Sequence, residues 1–139
     1  MKSEPNRWAN HRTKHRVRVR YCETDQMGVA HHGGHIDWIE EARTEWMREC
    51  GTTYRDLEAS GSLLQVVDVQ VSYRASVTYD DVVRIECWLA ERKRVSLTIG
   101  YRLTREADGV LVADASTTLA CVDRSGKLRR LPEDVFGAE

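Results

Sequence analysis

Four stretches in the second half of the chain alternate apolar and polar residues with a period of two, and only one earlier stretch carries a helical period long enough to cover them. In 66–75 (VVDVQVSYRA), Val67, Val69, Val71 and Tyr73 oppose Asp68, Gln70, Ser72 and Arg74. In 82–90, Val83, Ile85, Cys87 and Leu89 oppose Arg84, Glu86 and Trp88. The alternation is cleanest in 95–104, where Val95, Leu97, Ile99, Tyr101 and Leu103 oppose Ser96, Thr98, Gly100, Arg102 and Thr104, and weakest in 111–122. Short connections at 91–94 (ERKR), 106–109 (EADG) and Asp80-Asp81 favour antiparallel pairing, and the one-sided apolar faces need a cover.

Ile36, Ile39, Ala42, Arg43, Trp46, Met47 and Cys50 recur at three- and four-residue steps, one broad face of a helix. Gly33 and Gly34 are poor helix formers and Gly51 is a natural stop, so the spacing predicts a helix over about 34–50, roughly 25 Å long. Thr52 or Thr53 can cap a shorter helix that runs through Leu57 to about Ser60 and stops at Gly61. Ahead of these, Arg16, Arg18 and Arg20 alternate with Val17, Val19 and Tyr21, a strand that ends at Thr24 and Asp25. The expected fold is α+β, a curved five-stranded antiparallel sheet wrapped around one long central helix. Residues 1–14 read as a disordered or loosely packed arm, 15–133 as one domain and 134–139 as a tail.

With 139 residues the chain can hold one ordinary hydrophobic core. No apolar run reaches the roughly 18 residues of a membrane span, and no apolar leader opens the chain, so a cytoplasmic protein without a membrane span is expected. Cys22, Cys50, Cys87 and Cys121 form no CxxC pair and read as buried, reduced thiols. Residues 1–20 sum to +6 and the remainder to −7, but no stacking motif or zinc-ligand pattern accompanies the basic segment, so nucleic acid is not an expected partner.

The segment VRYCETDQMGVAHHGGHIDWIEEARTEWMRECG, residues 19–51, resembles the signature of the hotdog-fold acyl-CoA thioesterases of the 4-hydroxybenzoyl-CoA thioesterase type. Tyr21, Thr24, Asp25, Met27, Gly28, Val29, His32, Trp38, Glu40 and Arg43 fall on its matching positions, and the likeness extends over about 15–133. His31 replaces the usual aromatic residue, Gly34 an Asn and His35 a Tyr, changes that bear on the acyl group accepted. The resemblance implies a hotdog fold and hydrolysis of a short-chain or aromatic acyl-CoA to free acid and CoA. It implies neither cofactor nor metal. It also implies a homodimer as the minimal active unit, usually doubled to a homotetramer, with the site at the subunit interface and the strand around 67–76 contributing from the facing subunit.

Thioester hydrolysis needs an activated water or a carboxylate nucleophile, and donors facing the developing oxyanion. The resemblance makes Asp25 the catalytic acid, as general base or nucleophile; its alternative role is a cap or turn residue. His32 can steer water or protonate the leaving thiolate, while free amides at His32, Gly33 and Gly34 can form the oxyanion pocket. Tyr21, Met27, Gly28, His31, His35, Glu40 and Arg43 are candidates for lining or bracing the pocket, Glu40 and Arg43 being one helical turn apart. Arg92, Lys93 and Arg94, with Lys127, Arg129 and Arg130, are candidates to meet the phosphates of CoA. Two rival activities share such a pocket: a non-catalytic acyl-CoA or acyl-carrier-protein binder, and an enoyl-CoA hydratase or dehydratase.

Overall fold

The computed structural model describes residues 7–137. Helix α1 (Arg7–Asn10) leads into strand β1 (Arg12–Arg18), a 3-10 turn at Tyr21–Glu23, the long helix α2 (His32–Glu49) and the short helix α3 (Tyr54–Ala59). Strands β2 (Leu63–Tyr73), β3 (Val82–Arg92), β4 (Ser96–Arg105) and β5 (Leu111–Val122) follow, and helix α4 (Glu133–Phe136) closes the described chain. The five strands form one antiparallel sheet in the order β1-β3-β4-β5-β2. The sheet and the long helix across it form the hotdog architecture expected from the sequence.

The alternation explains the core. Val83, Ile85 and Cys87 of β3 and Leu97, Ile99, Tyr101 and Leu103 of β4 point inward beneath Trp38, Ile39, Ala42 and Trp46 of α2, and all are buried. The outer face is mostly polar, and its one aromatic ring in β3, Trp88, lies across Gly100 and under the Arg12 guanidinium, 4.5 Å from the ring. A Cβ at Gly100 would sit 2.6 Å from that ring, which explains a glycine in the middle of a strand.

Four boundaries differ from the sequence expectation, the first two for one reason. First, residues 7–14 are not a loose arm. Trp8 is buried between Trp46 and Phe136, with ring centroids 4.9 and 4.4 Å away, and β1 begins at Arg12. Residues 1–6 lie outside the described residues. Second, the C-terminal reading changes for the same reason: Leu131 and Phe136 are buried, so Glu133–Phe136 is a packed helix, not a tail.

Third, β1 ends at Arg18, and the chain then turns through Tyr21–Glu23. Tyr21 consequently stands 77% exposed, against Tyr79, instead of continuing the inward row. Fourth, α2 contains Gly33 and Gly34 in its first turn, after His31 in extended conformation. A Cβ on Gly33 would meet the His31 ring at 3.2 Å. Thr53 is the residue that caps α3, its hydroxyl accepting from Asp56 N–H.

One cysteine also departs from expectation: Cys50, Cys87 and Cys121 are buried, whereas Cys22 is exposed. No helix among the described residues is long and apolar enough to cross a membrane.

Strand β2 is an open edge, and a bulge between Val66 and Asp68 shifts its register. Val66, Val67, Val69 and Tyr73 remain 41, 58, 39 and 47% exposed. The helix explains why: it packs against β1 and β3 at the opposite edge, leaving the inner face of β2 uncovered.

Candidate active site

Asp25 sits in a closed loop. Its N–H donates to Val29 O, its carbonyl accepts from Gly28 N–H, and its Oδ1 accepts from Met27 N–H at 2.9 Å. Gly28 has φ +80°, the left-handed conformation such a tight turn needs. The turn role foreseen for Asp25 is therefore realised, yet it occupies Oδ1 alone; the carboxylate is exposed and Oδ2 has no partner among the described residues. Met27 at the loop tip is 85% exposed.

This loop is tied to the start of α2. Thr24 bridges Ala30, Ala30 N–H donates to Val77 O, and His31 N–H donates to Glu23 O. Beyond these bonds the N–H groups of His32 and Gly33 have no acceptor among the described residues, whereas Gly34 N–H donates to His31 O at 3.1 Å. The candidate oxyanion donors thus narrow from three to His32 and Gly33, at the positive end of the 18-residue helix α2. The His32 carbonyl accepts from Tyr73 Oη at 2.8 Å, which joins the helix start to the end of β2. The His32 side chain is exposed beside His31.

His35 is buried, its ring set between Trp38 and Tyr73 at 4.7 and 4.9 Å. Its Nδ1 faces His31 O at 3.3 Å, which makes Nδ1 the protonated nitrogen and leaves Nε2 as an acceptor. Ala30, His35, Tyr73, Arg74, Ala75 and Ser76 line a groove of about 240 Å³ at this end of the helix. Burial lowers the His35 pKa, so the ring is neutral.

The linkage has a definite sign. Above the unfolded value of about 6.5 the group is neutral in both states and contributes nothing. As the pH falls below that value, the unfolded chain takes up a proton that the folded chain resists, so stability is lost. Thermal denaturation from about pH 7.5 to about pH 5 is therefore expected to show a decline that is smaller in His35→Phe than in the wild type.

Glu23 was missing from the candidates. It is buried, accepting Trp38 Nε1–H at 2.8 Å and Arg20 N–H at 2.7 Å. Burial works to raise its pKa, but these hydrogen bonds and the Arg20 charge together hold the carboxyl below its usual value. Its charged form locks the 3-10 turn, and hence the Asp25 loop, to α2. An acid two residues before Asp25, facing a Trp fifteen positions on, was the available signal.

Arg43 does not pair with Glu40, which is exposed. Its guanidinium donates to Tyr54 Oη at 2.6 Å, Tyr101 Oη at 3.2 Å and Thr117 Oγ1 at 3.4 Å, tying α2 to α3, β4 and β5. Burial opposes the Arg43 charge, but the surrounding phenol oxygens more than offset it and the pKa stands above its ordinary value.

The basic clusters meet each other rather than Asp25. Leu131 N–H donates to Arg94 O, Arg129 Nη1 donates to Gly61 O and Arg92 Nη2 donates to Gly137 O. This is the Leu63 end of β2; the helix start is at the Tyr73 end, roughly 30 Å away along the strand within one chain.

Comparison with known proteins agrees with this architecture. The family model of the thioesterase-like superfamily matches residues 19–138. The chain is 33% identical to YneP of Bacillus subtilis over 114 residues, covering 82% of each chain. It is 31% identical to the acyl-CoA thioesterase YbgC of Haemophilus influenzae, covering 88% of this chain and 90% of that one. The crystal structure of DHNA-CoA thioesterase from Staphylococcus aureus superposes with a TM-score of 0.82 at 32% identity, over 86% of this chain and 80% of that one. With the long helix, four of the five strands and the loop before the helix inside the matched region, the chain belongs to the thioesterase-like superfamily.

Proposed function

We propose that the protein is an acyl-CoA thioesterase that hydrolyses a short-chain or aromatic acyl-CoA to the free acid and CoA. Asp25 acts at the thioester carbonyl, either as general base on water or as the nucleophile that forms a mixed anhydride later hydrolysed by water. The N–H groups of His32 and Gly33 receive the oxyanion, and the His32 imidazole delivers the proton taken up by the departing thiolate. The observation that carries this reading is the tethering of the Asp25 loop to two free helix amides through Glu23, Ala30 and Val77.

The active unit is a homodimer built across β2, and two such dimers associate. An open edge with four exposed apolar side chains supports the first step. Two-fold antiparallel pairing of β2 with its copy sets the Leu63 end of one subunit beside the Tyr73 end of the other. That arrangement brings the partner's Lys127 and Arg129 towards the Asp25 side, where the phosphates of CoA need cations; Arg92, Lys93 and Arg94 lie farther across the same end.

Free-thiol release and enoyl hydration, followed on one panel of saturated and 2-enoyl CoA thioesters, test the proposal. Thiol release from saturated short-chain or aromatic thioesters is the expected result. Hydration without thiol release would identify a hydratase, and binding with neither reaction a carrier-binding protein; either result overturns the proposal.

A further inference from the structure

Resting on the thioesterase reading, we propose that Arg43 forms the distal wall of the acyl site and receives a carboxylate carried at the far end of the acyl group. Arg43 is 6% exposed and sits in a cage of buried residues, Tyr101 at 1% and Thr117 at 2%, with the largely buried Tyr54 beside it. Burial pushes the phenol pKa values of Tyr101 and Tyr54 up, so both are neutral at neutral pH and offer dipoles, not charge. No carboxylate pairs with the guanidinium among the described residues. The hydroxyl dipoles hold the cation in place, and its charge stays unneutralised within the chain, open to an anion brought by a ligand.

The donor count agrees. Nε and Nη1 make the three observed bonds, while both N–H groups of Nη2 lack a partner among the described residues, and Nη2 is not among the sealed, unsatisfied atoms. The two N–H groups of Nη2 lie on different edges of the guanidinium, so a carboxylate would take a single charge-assisted hydrogen bond from Nη2.

The position agrees as well. One flank of α2 faces β1, through Glu41 near His15 and the Trp46 indole N–H donating to His11 O. Arg43 lies on the other flank: it bonds Thr117 of β5, whose register partner on β2 is Val69, and nearer the helix start His35 packs on Tyr73 of β2. Along that side Ile36, 39% exposed, is matched by Val69 and Tyr73, which share the inner face of β2 by register with Thr117 and Ala113. An acyl chain leaving the first-turn amides along this side reaches the level of Arg43 after roughly 16 Å of helix. The lean of helical side chains towards the N-terminus shortens the span.

The test compares CoA thioesters of a medium-chain dicarboxylic acid, esterified at one end, with those of the monocarboxylic acid of equal length. In the wild-type protein kcat/KM is expected to favour the carboxylate-ended substrate by about 10-fold or more, the discrimination one charge-assisted hydrogen bond supplies. In Arg43→Gln the ratio falls towards unity or inverts. Equal rates, or preference for the methyl-ended substrate in the wild type, would overturn the proposal and leave Arg43 as a clamp between α2, α3 and the sheet. If neither thioester is cleaved the thioesterase reading itself fails. Calorimetric titration of the wild-type protein with the free diacid against the free monoacid then decides Arg43 separately, with selective diacid binding expected and its absence fatal.

Discussion

Asp25→Asn is expected to lower thioester hydrolysis by about 10²- to 10⁴-fold, the usual contribution of a positioned acid or base, while leaving the melting temperature near that of the wild type. The two halves of this expectation come from two halves of one side chain. Asn retains a carbonyl oxygen that can accept Met27 N–H, so the turn that holds the loop survives. What Asn lacks is the second, unpartnered oxygen with its charge and basicity. Single-turnover thiol release alongside thermal denaturation separates these contributions: normal turnover would remove Asp25 from the chemistry, and a large fall in melting temperature would make it a structural residue.

Trp8→Ala is expected to destabilise the protein by about 3–5 kcal/mol, the range for removing a fully buried aromatic side chain. Trp8 closes the core at the C-terminal end of α2, edge-on to Trp46 and tilted against Phe136. The four-residue helices α1, which carries Trp8, and α4 are too short to hold position by themselves. A shift of the denaturant midpoint at constant slope would report this loss. A change below about 1 kcal/mol would mean that the site collapses over the missing ring.

The contrast between that tryptophan and the loose arm expected from the sequence shows where reading by pattern works. β3 and β4 were legible because their inward positions hold Val, Ile, Leu and Tyr, while charged or hydroxyl residues fill most of the outward ones. β1 has the same geometry, but its inward row begins with Thr13, buried at 1%, and the half-buried His15 before reaching Val17. Polar residues on the core side erased the alternation, and the strand was seen only from Arg16 onward. In β2 the residues were legible but the environment was not: the bulge after Val66 detaches Val67 from the inner row, and the edge position leaves most of the strand exposed.

At the candidate site, motif positions identified the loop and the helix start, whereas hydrogen-bond geometry had to remove Gly34 from the donors and add Glu23. Glu23 joins a partner three residues away, Arg20, to one fifteen residues away, Trp38, and only the second fixes the turn to α2. Arg43 was legible as a conspicuous charge on an apolar face, but the natural local partner, Glu40 one turn away, was not the one used. Three hydroxyl groups from two strands and a second helix replaced it, and only the assembled sheet brings them together.

The strand order has a consequence for how the chain is born. β1 and β2, both ahead of residue 74 in the sequence, lie at opposite edges of the sheet and cannot pair with one another. Their partners, β3 and β5, emerge later from the ribosome, so a nascent chain that has already made both edges and the central helix has no ladder to attach them to. The hairpin meander of β3, β4 and β5 closes only short loops and can assemble as soon as it is synthesised, whereas the edges must close long ones. On this topology the meander is expected to form first, and the buried face of α2 has no sheet to cover it until residues translated well after it are made.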